Sequence, residues 1–195
     1  MAYGSVNIPG VSASELETVR ALAQDAKELA ESASEAITDL TNTINVVPSP
    51  SGTLTFTGSQ QSPTWLNYDE SKLTLGGTTQ ATNAGTYEAT KSGFKWSDDT
   101  ETAKTVQWTI NRASIATPTP SGSLTYTGSP QSPTWTDYDT GKMSISGTNS
   151  ATNAGTYGAI FTPGSNYKWA DGTTTAKTVN WTIGKAAGSL SLDPT

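Results

Sequence analysis

The heptapeptide Ala-Thr-Asn-Ala-Gly-Thr-Tyr occurs twice, as residues 81–87 and 151–157. Two identical copies at that spacing mean two copies of one small domain. Within it, Asn83, Gly85 and Tyr87, and again Asn153, Gly155 and Tyr157, have the form of a tyrosine corner. In that device a Tyr near the start of a late strand turns its hydroxyl back onto an upstream backbone group. The Asn opens the turn, and the Gly two residues before the Tyr supplies permissive backbone.

The rest of the duplication follows from aligning Pro50 with Pro120. Gln61–Trp65 matches Gln131–Trp135, Tyr68-Asp69 matches Tyr138-Asp139, and Gly77-Thr78 matches Gly147-Thr148. Three extra residues fall within Phe161–Tyr167 of the second copy. Trp96/Trp169, Asp98/Asp171, Ala103–Val106/Ala176–Val179 and Trp108–Ile110/Trp181–Ile183 then realign. Apolar residues alternate at Leu54/Phe56, Leu73/Leu75 and Val106/Trp108/Ile110, and the second copy repeats the pattern at Leu124/Tyr126, Met143/Ile145 and Val179/Trp181/Ile183. That is strand periodicity, and Gly, Asn and Asp turn signals separate the runs. Hydrophobic content is only 33%, which suits strands with one solvated face. Each copy therefore reads as a small antiparallel sandwich. Its thin core needs large residues: Trp65, Tyr87, Trp96 and Trp108, then Trp135, Tyr157, Trp169 and Trp181.

Ahead of the repeats the signals are helical. Ser12 with Glu15 forms a capping box. From there Leu16, Val19, Ala23, Ala26, Ala30, Ala33, Ile37, Leu40, Ile44 and Val47 follow one another at alternating steps of three and four. That is a heptad seam, and Pro48 stops it. The helix cannot bury such a stripe against itself, so a self-associating coiled coil is expected. The expected organisation is mainly β: an extended arm at 1–11, a coiled-coil helix at 12–47, repeat one at 48–113, a stiff proline-bearing linker at 114–120, repeat two at 121–186, and at 187–195 a tail or the start of a further strand or domain.

The repeat motifs resemble the MBG-type immunoglobulin-like repeats of bacterial surface and phage structural proteins. The likeness rests on Thr125–Trp135, Tyr138-Asp139, Ile145–Thr148, Asn153–Tyr157 and Val179–Ala186. It implies two tandem Ig-like antiparallel sandwiches and no catalytic residues. Ala89 and Ala159 stand where antibody domains carry a Cys. Separately, Met1–Val11 followed by an Ala-rich acidic helix is similar to the start of virion proteins of Firmicutes phages and prophages. That resemblance implies a tail fibre or head decoration displaying its modules toward host glycans.

An enzyme is not expected. The chain has no His and no Cys, which removes the usual general base and thiolate metal sites. Tyr68-Asp69 and Tyr138-Asp139 read as turns, because glycoside hydrolysis needs two placed carboxylates. Asp98, Asp99 and Glu101 suit calcium by type, but the second copy keeps only Asp171, so a solvated hairpin is preferred. No cofactor or metal is expected. The net charge is −6, of which −5 lies in residues 1–47, so no nucleic acid is expected. No run is apolar enough to cross a membrane, and the N-terminus lacks a recognisable signal peptide.

Taken together, the chain is expected to be a virion or extracellular structural protein. The helix seam makes it a homo-oligomer. Ile37 and Ile44 with Leu40 suit a dimer by the simple seam rule, but the fibre-like order of arm, coil and modules favours a trimer. The arm would join other virion proteins. Trp65, Tyr68, Trp135 and Tyr138 are the candidate glycan contacts, since aromatic faces stack on sugar rings. The alternatives are a bacterial surface adhesin stalk and a carbohydrate-binding module.

Overall fold

The computed structural model describes residues 9–188. The arm at 1–8 and the new-strand expectation at 189–195 lie outside the described residues. The protein is mainly β, with one N-terminal helix and several sheets.

Helix α1 spans Ala13–Asn42. Its capping box forms as the sequence predicts: Ser12 N–H donates to Glu15 Oε2 at 2.8 Å, and Glu15 N–H donates to Ser12 Oγ at 3.2 Å. The helix ends five residues before the expected stop at Val47. Thr43 is already extended. Ile44 leaves the seam and forms a parallel bridge to Trp96, donating its N–H to Lys95 O at 2.8 Å. Burying an Ile side chain contributes roughly 2 kcal/mol, which a thin Ala-rich seam does not match. A Thr- and Asn-rich last turn is also a weak helix former. No basic residue sits in that turn; Lys72 Nζ instead donates to Thr41 O at 2.8 Å, satisfying a terminal carbonyl from outside the helix.

Repeat one contributes β1 (Ser49–Ser51), β2 (Leu54–Thr55), β3 (Thr64–Leu66), β4 (Leu73–Gly77), β5 (Gly85–Gly93) and β6 (Lys104–Asn111). Next comes β7 (Ala113–Ile115). Repeat two contributes β8 (Thr119–Ser121), β9 (Leu124–Thr125), β10 (Thr134–Thr136), β11 (Met143–Gly147), β12 (Gly155–Pro163), β13 (Tyr167–Trp169) and β14 (Lys177–Gly184). Its main sheet has the order β11-β12-β14-β9, beside two-stranded β10-β8 and β13-β7. Repeat one has the matching order β4-β5-β6-β2 beside β1-β3.

Two expectations need correcting. The sheets are not wholly antiparallel: β2 joins β6 and β9 joins β14 in parallel. The chain enters and leaves each repeat along neighbouring strands that run the same way. The second concerns the stiff linker expected at 114–120, much of which is strand. Ser114-Ile115 belong to β7, which pairs in parallel with β13, and Thr119-Pro120 belong to β8. Backbone groups beside an open sheet edge gain hydrogen bonds by joining it.

The contacts divide the molecule into two units. The first holds the described part of Met1–Val47 with Asn67–Thr74 and Lys91–Lys104; the second holds Pro48–Leu66, Leu75–Thr90 and the described part of Thr105–Thr195. In the first unit, Ile44, Leu73 and Trp96 form a buried cluster with Tyr68 against it. The second unit has two clusters. Ala89, Trp108 and Ile110 gather Leu54, Trp65 and Tyr87. Met143, Ala159, Phe161, Trp169, Trp181 and Ile183 form the continuous core of repeat two. Each buried indole also finds an acceptor, as its desolvated N–H requires. Trp108 and Trp181 donate to Thr78 O and Thr148 O at 2.7 and 2.6 Å, and Trp96 and Trp169 to Thr102 O and Thr175 O at 2.9 and 2.8 Å.

Candidate functional site

Among the described residues, the helix carries an exposed apolar stripe. Val19, Ile37 and Leu40 of the predicted seam are exposed, Leu40 at 75%, and so are the flanking Leu22 and Leu29. Ala23, Ala26, Ala30 and Ala33 are exposed too, and Leu16 is half-buried. The structure thus keeps Leu16 to Leu40 on one helix. It removes Ile44 to the core and leaves Val47 exposed outside the helix. The helix surface is strongly acidic, with salt bridges Arg20–Glu17 at 2.7 Å and Lys27–Glu31 at 3.7 Å. Both are exposed and stabilise little.

Both tyrosine corners form. Tyr87 Oη donates to Asn83 O, and Tyr157 Oη to Asn153 O, each at 2.7 Å. Each ring lies tilted on the core indole, Tyr87 on Trp108 at 4.9 Å and Tyr157 on Trp181 at 5.0 Å between centroids. The part played by the Gly differs from the expected one. Gly85 and Gly155 are absent from the left-handed glycines; a Cβ on either would sit 3.4 Å from its own Tyr ring. A side chain there would make only an ordinary contact with the Tyr, so neither left-handed backbone nor close approach demands the Gly.

The four candidate glycan contacts, Trp65, Tyr68, Trp135 and Tyr138, are half-buried. Trp65 packs on the Trp108 cluster and Tyr68 on the Trp96 cluster. Tyr68 Oη donates to Leu73 O at 3.2 Å. Trp135 and Tyr138 stand edge-on to Phe161 at 4.8 and 5.6 Å. In so thin a core these rings are needed as filling.

The acidic hairpin is a repeated clasp. Asp98 Oδ1 accepts from Thr100 N and Oγ1, and Oδ2 pairs with Lys104. Asp171 does the same with Thr173 and Lys177. The Lys104 bond and then the Thr100 bonds hold Asp98 down to about 2, and Lys177 and Thr173 hold Asp171 well below the usual carboxylate range. Each Lys ammonium also lies over the preceding Trp ring, at 5.8 and 5.5 Å, a cation–π contact. Among the described residues no group of three or more His, Cys, Asp or Glu is placed to hold a metal, and no helix is long and apolar enough to cross a membrane.

Two features escape the sequence reasoning. Lys91, which aligns in sequence with Phe161 of repeat two, is fully buried, and desolvation pushes its ammonium down to about 8. The signal was a Lys at an apolar position of the alternation Tyr87, Ala89, Lys91. The second feature is the junction between the repeats. Asn166 Oδ1 accepts from Ala84 N–H at 2.8 Å, and Asn166 Nδ2 donates to Asn83 Oδ1 at 3.0 Å. Phe56 meets Tyr167 edge to face at 5.4 Å. The three-residue insertion within Phe161–Tyr167 was the available signal. Compared with known proteins, the chain matches no family model, no curated protein and no solved structure.

Proposed function

We propose that this chain is a non-enzymatic virion structural protein, a fibre or decoration subunit that projects tandem Ig-like sandwiches toward a host surface. The helix associates with copies of itself as a coiled coil, and the arm joins other virion proteins. The observation that carries this is the contrast between exposed helix and closed repeats. The apolar stripe from Val19 to Leu40 lies open, whereas the large Trp residues of the repeats turn inward. An open stripe of that length is an interaction surface. A trimer is preferred to a dimer because fibre subunits present three equal arms from one stalk. Many weak surface contacts then combine through avidity. The inward packing of Trp65, Tyr68, Trp135 and Tyr138 favours projection and multivalency over a dedicated carbohydrate-binding module.

The test is absolute mass by light scattering. The full chain is expected as a trimer. The double variant Leu22→Asp/Leu29→Asp, and a chain beginning at Thr43 so that Ile44 stays with Trp96, are expected as monomers. A monomeric full chain at all concentrations would overturn the self-associating stalk.

A further inference from the structure

The contacts by which repeat two seats on repeat one use features that repeat two also carries at its own corner end. On repeat one the receiving surface is the tyrosine-corner turn, through Asn83 and Ala84, with the Phe56 ring beside it. The inserting group is the hairpin at Asn166-Tyr167. One Asn amide reads the Ala84 N–H and the Asn83 side-chain oxygen together, and its backbone carbonyl takes the Ala113 N–H at 3.0 Å. The Tyr167 ring fills the remaining side against Phe56.

The same receiving surface is built on repeat two. The corner is set in the same geometry, Tyr157 Oη to Asn153 O at 2.7 Å as in Tyr87 to Asn83. Asn153 and Ala154 occupy the places of Asn83 and Ala84, and Tyr126 takes the place of Phe56. Tyr126 is 42% exposed, whereas Phe56, covered by Tyr167, is half-buried. Among the described residues, no group plays toward Ala154 N–H the part that Asn166 plays toward Ala84.

We propose that the corner end of repeat two, formed by Tyr126, Asn153 and Ala154, is a docking socket for a further β module presenting an Asn-Tyr hairpin like that of Asn166-Tyr167. The established junction is the argument for this occupant, because it shows which chemistry the surface accepts. Repeat one of a second copy fits less well. It carries Phe94 at the Tyr167 position but Gly93 at the Asn166 position, so the amide clasp is missing. This inference does not depend on the virion role.

The test adds a module to the whole protein. A second copy of residues 113–188 is placed after Lys185, in one chain directly and in another through a Gly/Ser linker of about 20 residues. The linker version lets the added module fold alone and still meet the socket at high effective concentration. Amide hydrogen exchange is read at Ala154, with Ala84 as the internal reference. The expected result is that Ala154 exchange slows by at least roughly tenfold toward that of Ala84. Asn166→Ala in the added copy alone is expected to reverse this while Ala84 stays protected. Unchanged exchange at Ala154 in both extended chains would overturn the proposal. So would protection that grows with concentration in the unextended chain, since that assigns the socket to a second copy.

Discussion

Repeat one and repeat two share their turns, corners and indole acceptors, yet their interiors differ at one decisive position. In repeat two Phe161 stands between Trp135 and Tyr138, and one continuous core results. In repeat one the aligned residue is Lys91, which is fully buried. Turns and strand pairings are specified locally, whereas the residue at one inward position is free to differ between the copies. A Lys there keeps a long aliphatic stem inside but brings a charge with it.

The largest effect is expected from exchanging that position. Phe161→Lys should destabilise repeat two by roughly 4 kcal/mol, through lost aromatic packing and a desolvated ammonium. Lys91→Phe should move the chemical-denaturation midpoint the other way. Tryptophan fluorescence through a guanidinium titration reads both. Equal and small changes would mean that the position does not set the difference between the repeats.

Next is the pH dependence of Lys91. Its pKa falls from 10.5 unfolded to about 8 folded. Below pH 8 both states hold the proton, and the folded state carries the cost of desolvating it. Between about 8 and 10.5 the folded state has lost the proton and the unfolded state has not. Stability should therefore rise across that window by roughly 3 kcal/mol and then level. Lys91→Met should flatten the profile. A wild-type profile without that rise would count against the burial of the charge.

The glycines sharpen the comparison from the shared side. Gly147 has φ of +73°, and a Cβ there would lie 2.8 Å from Gly158 O; Gly77 is alike, at +67° and 2.8 Å from Glu88 O. Gly147→Ala and Gly77→Ala should each cost roughly 2 kcal/mol. Gly155→Ala and Gly85→Ala, where the ring contact is ordinary, should cost less than half of that. Thermal unfolding separates the two pairs.

The smallest effect is expected at the corners. Tyr157→Phe and Tyr87→Phe each remove one hydrogen bond to a carbonyl and should cost about 1 kcal/mol. In repeat one the loss should also loosen the seat of Asn166, seen as faster exchange at Ala84. A Tyr87→Phe chain with unchanged Ala84 exchange would separate the corner from the junction.

The sequence by itself determined what neighbours along the chain can decide. The duplicated heptapeptide declared two copies of one unit. Period-two alternation placed β6 and β14, Ser12 and Glu15 set the helix start, and Asn83 to Tyr87 held enough of the corner to predict its hydrogen bond. These depend on residues within a few positions of one another. The tertiary structure decided the rest, where partners lie far apart in sequence. Ile44 fits a heptad seam by spacing, but Trp96 offers it more burial. Ser114 and Ile115 read as linker until the open edge of β13 takes them. Trp65, Tyr68, Trp135 and Tyr138 have the chemistry of a sugar platform, and the fold packs each of them partly against core residues. Asn166 lies in the segment where repeat two carries three extra residues; it becomes a clasp because the fold brings Asn83 and Ala84 to it. Local hydrogen bonding is written in short motifs. Burial is a competition among distant surfaces, and only the assembled chain settles it.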